Sequence, residues 1–254
     1  MAPSGVGAEV EGLHAVAAAV AAGRVELLFV EAGRAEALRS LIERARAAGA
    51  EVRVVADLRP LASTTAPQGV VAHCRPLATI GLAEMVAAHT PAALVVLDHL
   101  EDPRNVGAVA RSALAAGMSG LVLARRRAAP LGATAAKAAA GALERLPLAL
   151  VSSVAQAVAD LGRLGVWAVG LDAGGDRSLF GLDLLVEPVA IVVGAEGRGL
   201  ASLVAERVDV RAAIPLRPGV ESLNAAVAAS LACYEVARVR ASFPGGPLAS
   251  LGDR

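Results

Sequence analysis

Six short apolar runs limit the folds open to this chain. ALVVLD (93–98), SGLVLA (119–124), PLALV (147–151), VWAVGL (166–171), PVAIVVG (188–194) and VRAAIPL (210–216) all have strand length, and helix-length segments separate most of them. A strand that alternates apolar and polar residues keeps one face in water, whereas a strand apolar throughout has both faces covered. The series therefore predicts a parallel sheet buried between helices, an α/β fold. One helix opens with Ser153 and Gln156 at capping-box spacing, and a last long helix is predicted from about 222 to 240.

The first third reads as a smaller α/β unit. A helix is predicted from Gly12 to about Ala22, then the strand VELLFV (25–30). The segment 34–49 places Ala37, Leu38, Leu41, Ile42 and Ala45 on one helical face and closes at Gly49, and EVRVVA and GVVAHC read as strands on either side of the turn-rich STTAPQ (63–68). The predicted organisation is a small domain over 1–76, a linker over 77–91 and a larger domain over 92–254, with 75–91 expected to form one helix between prolines.

Composition narrows the function classes. The 254 residues carry no net charge, so no global field draws a polyanion to the chain and any nucleic-acid site has to be local. Of the 24 basic residues only Lys137 is lysine; guanidinium suits bidentate phosphate contacts, and a coding bias toward arginine and alanine explains the excess as well. Aromatic residues make up 2%, too few for a base-stacking platform. No apolar stretch approaches the ~20 residues of a membrane span. The N-terminus shows no basic region followed by an apolar core, and Cys74 and Cys233 read as small core hydrophobes, so a cytoplasmic protein without a membrane association is expected. The four histidines show no metal-ligand spacing, and no metal is expected.

In parallel sheets ligands bind at the carboxyl ends of strands, and three such junctions carry chemistry. In EDPRNVGAVARSALAAG (101–117), Asp102 and Pro103 open a helix, and Arg111 lies one turn after Gly107 with Asn105 at the mouth. A glycine inside a helix costs roughly 1 kcal/mol against alanine. Two reasons fit it: space for Arg111 to lie back toward Asn105 and the free N–H groups, an anion site, or close packing of the helix on a neighbour. The second junction, AIVVGAEGRGL (190–200), sets glycines at 194, 197 and 199 around Glu196, which is either a solvated charge or a buried acceptor. The spacing is not that of a dinucleotide fingerprint, which weakens an oxidoreductase reading. The third, IPLRPGVESLNAAVAAS (214–230), places Ser222 where an N-cap is wanted and Asn224 in the first turn.

Taken in order, LDHLEDPRNVGAVARSALAAG, IVVGAEGRGL and IPLRPGVESLNAAVAASLACYEVAR resemble the three motifs of the SpoU (TrmH-like, SPOUT) RNA ribose 2′-O-methyltransferases, and ATAAKAAAGALERLPL (133–148) resembles the segment between the first two. GLHAV and QGVVAH resemble the additional domain of bacterial members acting on 23S rRNA, a domain similar to kink-turn-binding ribosomal proteins. The resemblance implies a catalytic α/β domain tied in a deep trefoil knot, a homodimer, and an S-adenosylmethionine site at Gly194, Ile214, Leu216, Leu223 and Asn224. It also implies Arg111 as the catalytic residue, assisted by Asn105, Glu196, Ser222 and Asn224. The implied substrate is RNA, foremost a guanosine of 23S rRNA, with tRNA ribose methylation, an antibiotic-resistance rRNA methyltransferase and a non-catalytic ribosome-assembly protein as alternatives. Three positions depart from the family pattern: Ala226 stands for a serine, His99 for a glycine, and TAPQG for HQG.

Overall fold

The computed structural model describes residues 5–125 and 131–241, so most of ARRRAAP (124–130) and the terminal SFPGGPLASLGDR lie outside the described residues. The chain divides into two compact units. The first is drawn from the described residues of 1–78, 103–111 and 130–145, the second from those of 79–102, 112–129 and 146–254.

In the first unit β1 (Glu9–Glu11), α1 (Leu13–Ala21), β2 (Val25–Glu31), α2 (Arg39–Ala47), β3 (Glu51–Val55) and β4 (Val70–Cys74) follow in chain order. The sheet runs β1-β4-β2-β3, with β2 and β3 parallel and the other pairs antiparallel. Val16, Val20, Leu28, Leu41 and Ile42 share one core. The predicted helix over 34–49 begins only at Arg39. A 3₁₀ turn occupies Ala32–Arg34, and Ala37 is exposed.

From Thr79 onward come α3 (Leu82–Ala87), β5 (Ala93–Leu97), α4 (Pro103–Ala115), β6 (Gly120–Ala124), α5 (Ala133–Ala139), β7 (Leu148–Val151), α6 (Val154–Arg163), β8 (Trp167–Leu171), β9 (Arg177–Ser178), β10 (Val189–Val193), α7 (Ser202–Ala205), β11 (Val210–Ala213) and α8 (Ala225–Ala241). The second unit holds a sheet in the order β7-β6-β5-β10-β8-β11-β9, every neighbouring pair parallel. Every residue of β5, β6 and β10 is buried, as their unbroken apolar character requires. β10 lies between β5 and β8, so the strand order reverses there.

Several boundaries differ from the sequence reading for identifiable reasons. The expected helix over 75–91 shrinks to six residues because its first amides are committed elsewhere: Arg75, Leu77 and Ile80 donate to the carbonyls of Arg24, Val6 and Leu148. β11 ends at Ala213 rather than 216, two residues before Pro215, which has no N–H for a ladder. Only half of the capping box forms. Ser153 Oγ accepts from the Gln156 amide at 3.3 Å, but the Gln156 side chain turns forward to Asp160.

Candidate active site

The carboxyl ends of β8, β10 and β11 surround a cavity of about 450 Å³ within the second unit. Its floor is backbone. A Cβ placed on Gly194 would come within 2.2 Å of the carbonyl carbon and oxygen of Gly199 and 2.4 Å of the Leu200 nitrogen. The loop closes on itself through paired bonds, Ala195 N–H to Gly199 O at 3.0 Å and Gly199 N–H to Ala195 O at 2.9 Å. Gly197 and Gly199 turn it in the left-handed region, at φ of 75° and 68°, which a side chain disfavours.

Of the predicted site residues, Gly194, Glu196, Ile214, Leu216, Ser222 and Leu223 line this cavity together. Asn224 is outside the lining but joins two of the loops. Its side-chain amide donates to Glu196 Oε1, and the same carboxylate oxygen accepts the Ala225 amide at 3.4 Å. Asn224 also caps α8, its Oδ1 accepting from the amides of Ala226 at 3.0 Å and Val227 at 3.2 Å. This corrects the expected cap at Ser222, which lies in irregular chain two residues earlier and lines the cavity. Glu196 is exposed rather than buried, and its orientation is set by the amides it accepts.

A fourth junction went unread in the sequence. Leu171, Asp172 and Ala173, following β8, line the cavity. Asp172 accepts the Gly174 amide at 2.9 Å and faces Arg211 at 3.5 Å. The available signal was the same as elsewhere: an apolar strand ending in an acidic residue followed by paired glycines, LDAGG.

The chain between β5 and α4 is shaped by Asp98. Fully buried, it donates its amide to Val193 O at 2.8 Å, accepts the Ala201 amide at 2.7 Å, and lies 2.5 Å from His99 Nδ1. Asp98 thereby clamps both ends of the loop that forms the cavity floor. His99 sits at φ 58°, a region in which histidine is among the few side chains tolerated.

In the first unit, Asn105 is half-buried in the opening turn of α4, and Arg111 is exposed two turns on; neither lines the cavity. Gly107 does not serve to make room for Arg111. A Cβ there would meet Ala135 O at 2.4 Å, Ala138 Cβ at 2.6 Å and Ala139 N at 2.9 Å, so the glycine is what lets α4 and α5 approach. Both cysteines are free and buried, and burial pushes each thiol up to about 12, so neither is a nucleophile near neutral pH. Among the described residues no group of His, Cys, Asp and Glu could hold a metal ion.

Comparison with known proteins agrees with this geometry. Residues 92–234 match the SpoU rRNA Methylase family, and residues 10–79 match the RNA 2′-O ribose methyltransferase substrate binding domain. An uncharacterized tRNA/rRNA methyltransferase of Mycobacterium avium is 42% identical over 159 residues, 63% of this chain and 51% of that protein. The chain spans about half the length of the first such relatives. The crystal structure of the SpoU methyltransferase AviRb from Streptomyces viridochromogenes, in complex with AdoMet, superposes with a TM-score of 0.78 at 28% identity, covering 92% of this chain and 91% of that one. An AdoMet-bound rRNA methyltransferase from Sinorhizobium meliloti gives 0.73 at 25% identity, covering 91% and 86%. The chain belongs to the SpoU rRNA methylase family.

Proposed function

We propose that this protein transfers a methyl group from S-adenosylmethionine to a ribose 2′-hydroxyl of RNA, with a guanosine of 23S rRNA as its target. The observation that carries the proposal is the cavity itself. Three loops built from the second and third motifs and the end of β8 enclose about 450 Å³, a volume suited to a small-molecule cofactor. The residues present fit S-adenosylmethionine: backbone at Gly194 and Ile214, apolar wall at Leu216 and Leu223, and polar groups at Glu196 and Ser222. When bound, it supplies a methyl group on a sulfonium centre whose leaving group departs without charge.

The chain's own residues then have two tasks: holding the ribose hydroxyl in line, and easing the loss of its proton. Guanidinium stays protonated in proteins, so Arg111 holds the neighbouring RNA phosphate and stabilises the developing alkoxide rather than acting as a base. Asn105, in the first turn of the 13-residue α4, adds a side-chain amide at the N-terminal end of the same helix. The proton passes to water, to the phosphate or to Glu196, which Asn224 keeps oriented.

Other parts of the proposal rest on separate observations. The substrate-binding match over 10–79 supports RNA recognition by the four-stranded fold, akin to that of kink-turn-binding ribosomal proteins, joined at 77–91 to a catalytic domain over 92–254. The backbone crossing at Gly194 and the placement of β10 between β5 and β8 support a trefoil-knotted chain. Val227, Leu231 and Tyr234, exposed at helical spacing along α8, support a homodimer, and the proposed ribosomal substrate is the ground for proposing a cytoplasmic enzyme.

Incubation with labelled S-adenosylmethionine and total RNA, followed by mapping of 2′-O-methylation, tests the function. Label in a 23S rRNA guanosine is expected. Cofactor binding without transfer to any RNA, including ribosome-assembly intermediates, would instead indicate a non-catalytic RNA-binding protein. Arg111→Lys should lose most activity, on the order of 100-fold as for loss of an electrostatic stabiliser, with calorimetric cofactor affinity unchanged. Near-normal methyl transfer by this variant would remove Arg111 from the mechanism.

A further inference from the structure

A series of contacts runs from the four-stranded fold to the helix that carries Arg111, all inside the first unit. Ala136 of α5 is buried in the same core as Val10, Val16 and Val20. Beside it Lys137 donates its ammonium to Ala66 O, in the turn that precedes β4. Gly141 lies against α1, where a Cβ would come within 2.7 Å of Ala18 Cβ. Three residues on, Glu144 receives Arg24 in a two-point pair, Nε to Oε2 at 2.7 Å and Nη2 to Oε1 at 2.5 Å, with side chains only 11% and 7% exposed. The remaining donors of Arg24 reach Gly7 O at 3.2 Å and Arg75 O. On its other side, α5 holds α4 at the close approach of Gly107.

We propose that these contacts make the four-stranded fold and the Arg111-bearing turns of α4 one RNA-reading body, with Arg24 and Glu144 as the positioning pair that sets the register between bound RNA and Arg111. The RNA part rests on the function proposed above; the mechanical coupling does not. The physical reason is one of alignment. A binding module on a loose tether would present the ribose in many poses, and a displacement of about 1 Å from the reacting geometry costs roughly 100-fold in rate. An exposed ion pair would hold little, whereas a buried two-point guanidinium–carboxylate pair fixes orientation as well as distance. Its place is informative too: it ties the ends of both segments, beside Gly7 and Arg75 on one side and the turn after α5 on the other.

Full-length Glu144→Gln and Arg24→Lys test this, with Glu144→Asp as the conservative variant that keeps a carboxylate. By hydrogen exchange, Glu144→Gln should accelerate the amides of β2, β4 and residues 106–111 by a common factor of about ten, as expected for one cooperative unit, and leave β10 unchanged. Acceleration confined to 140–145 would overturn the coupling. In kinetics, kcat on RNA should fall about tenfold or more while the dissociation constants for RNA and S-adenosylmethionine stay within about twofold, and Glu144→Asp should recover part of the loss. Losses that merely track the folded fraction would make the pair structural and overturn its positioning role. If Glu144→Gln does not fold, Arg24→Lys, which keeps both charges, gives the same readouts. Should the wild type methylate no RNA, the proposed function fails, and the exchange result still decides the coupling.

Discussion

The loop after β10 and the helix after β5 both depend on a glycine, for different reasons. At Gly194 the missing side chain lets one stretch of backbone pass another so closely that a Cβ would come within 2.2 Å of Gly199, and the result is a cavity floor made of peptide groups. At Gly107 it lets one helix settle on the backbone of the next where a Cβ would come within 2.4 Å of Ala135 O, and the result is a platform for side chains, Asn105 and Arg111 among them. The first region shapes a site by what the backbone leaves open. The second fixes where a helix lies and so where its side chains are presented. A glycine in a motif therefore announces close approach, but only the partner surface says whether the space is for a ligand or for the fold.

Substituting each glycine should separate the two. Gly194→Ala is expected to have the larger effect, because the added methyl meets backbone on a bonded loop and neither strand end can yield without opening the cavity. Calorimetry should show S-adenosylmethionine affinity reduced by at least about 100-fold, roughly 2.7 kcal/mol. Binding within about threefold of wild type would show that the crossing does not shape the cofactor site.

Gly107→Ala sets two effects against each other. Alanine is favoured in a helix interior by about 1 kcal/mol, whereas overpacking costs typically 1–3 kcal/mol. Since the nearest atom is the Ala135 carbonyl oxygen rather than a flexible side chain, overpacking should prevail, with a net loss of about 1 kcal/mol in thermal or denaturant unfolding. Methyl transfer should fall as α4 shifts, with cofactor affinity unaffected. A gain in stability with normal transfer would mean that α4 and α5 yield freely, and the contrast with Gly194 would hold only at the first site.

Much of this was legible in the residues. Unbroken apolar runs told the buried parallel strands β5, β6 and β10 apart from ordinary amphipathic ones, and the strand ends located the cavity loops at 194–199 and 214–223. What was not legible depended on partners distant in sequence. The chain from Arg75 to Ile80 is not helical because Arg24, Val6 and Leu148 claim three of its amides, which no local pattern records. Ser222 and Asn224 are both good N-cap residues, and the cap goes to the second because α8 begins only at Ala225, with Glu196 taking the Asn224 side-chain amide. The reason for Gly107 lay some thirty residues away in α5, at Ala135, Ala138 and Ala139.

The smallest effect belongs to a place where neither glycine acts. Glu235 of α8, 5% exposed, accepts the Gly181 amide at 2.8 Å and two donors of Arg238 at 2.8 Å each. The Arg238 hydrogen bonds, helped by the Gly181 amide, hold its carboxyl below the usual range. A carboxylate whose folded pKa is depressed contributes stability above its unfolded value, about 4.3, and loses it as pH falls through the lower folded value. Glu235→Gln should therefore cost about 1 kcal/mol near neutral pH, a modest figure because Arg238 is exposed and screened. The difference from wild type should shrink below about pH 4 as the wild-type carboxylate is protonated. Cofactor affinity and methyl transfer should stay unchanged at neutral pH. A loss of cofactor affinity in this variant would mean that α8 transmits strain to the loops at its N-terminus, and the two glycine regions could no longer be treated as independent of the helix behind them.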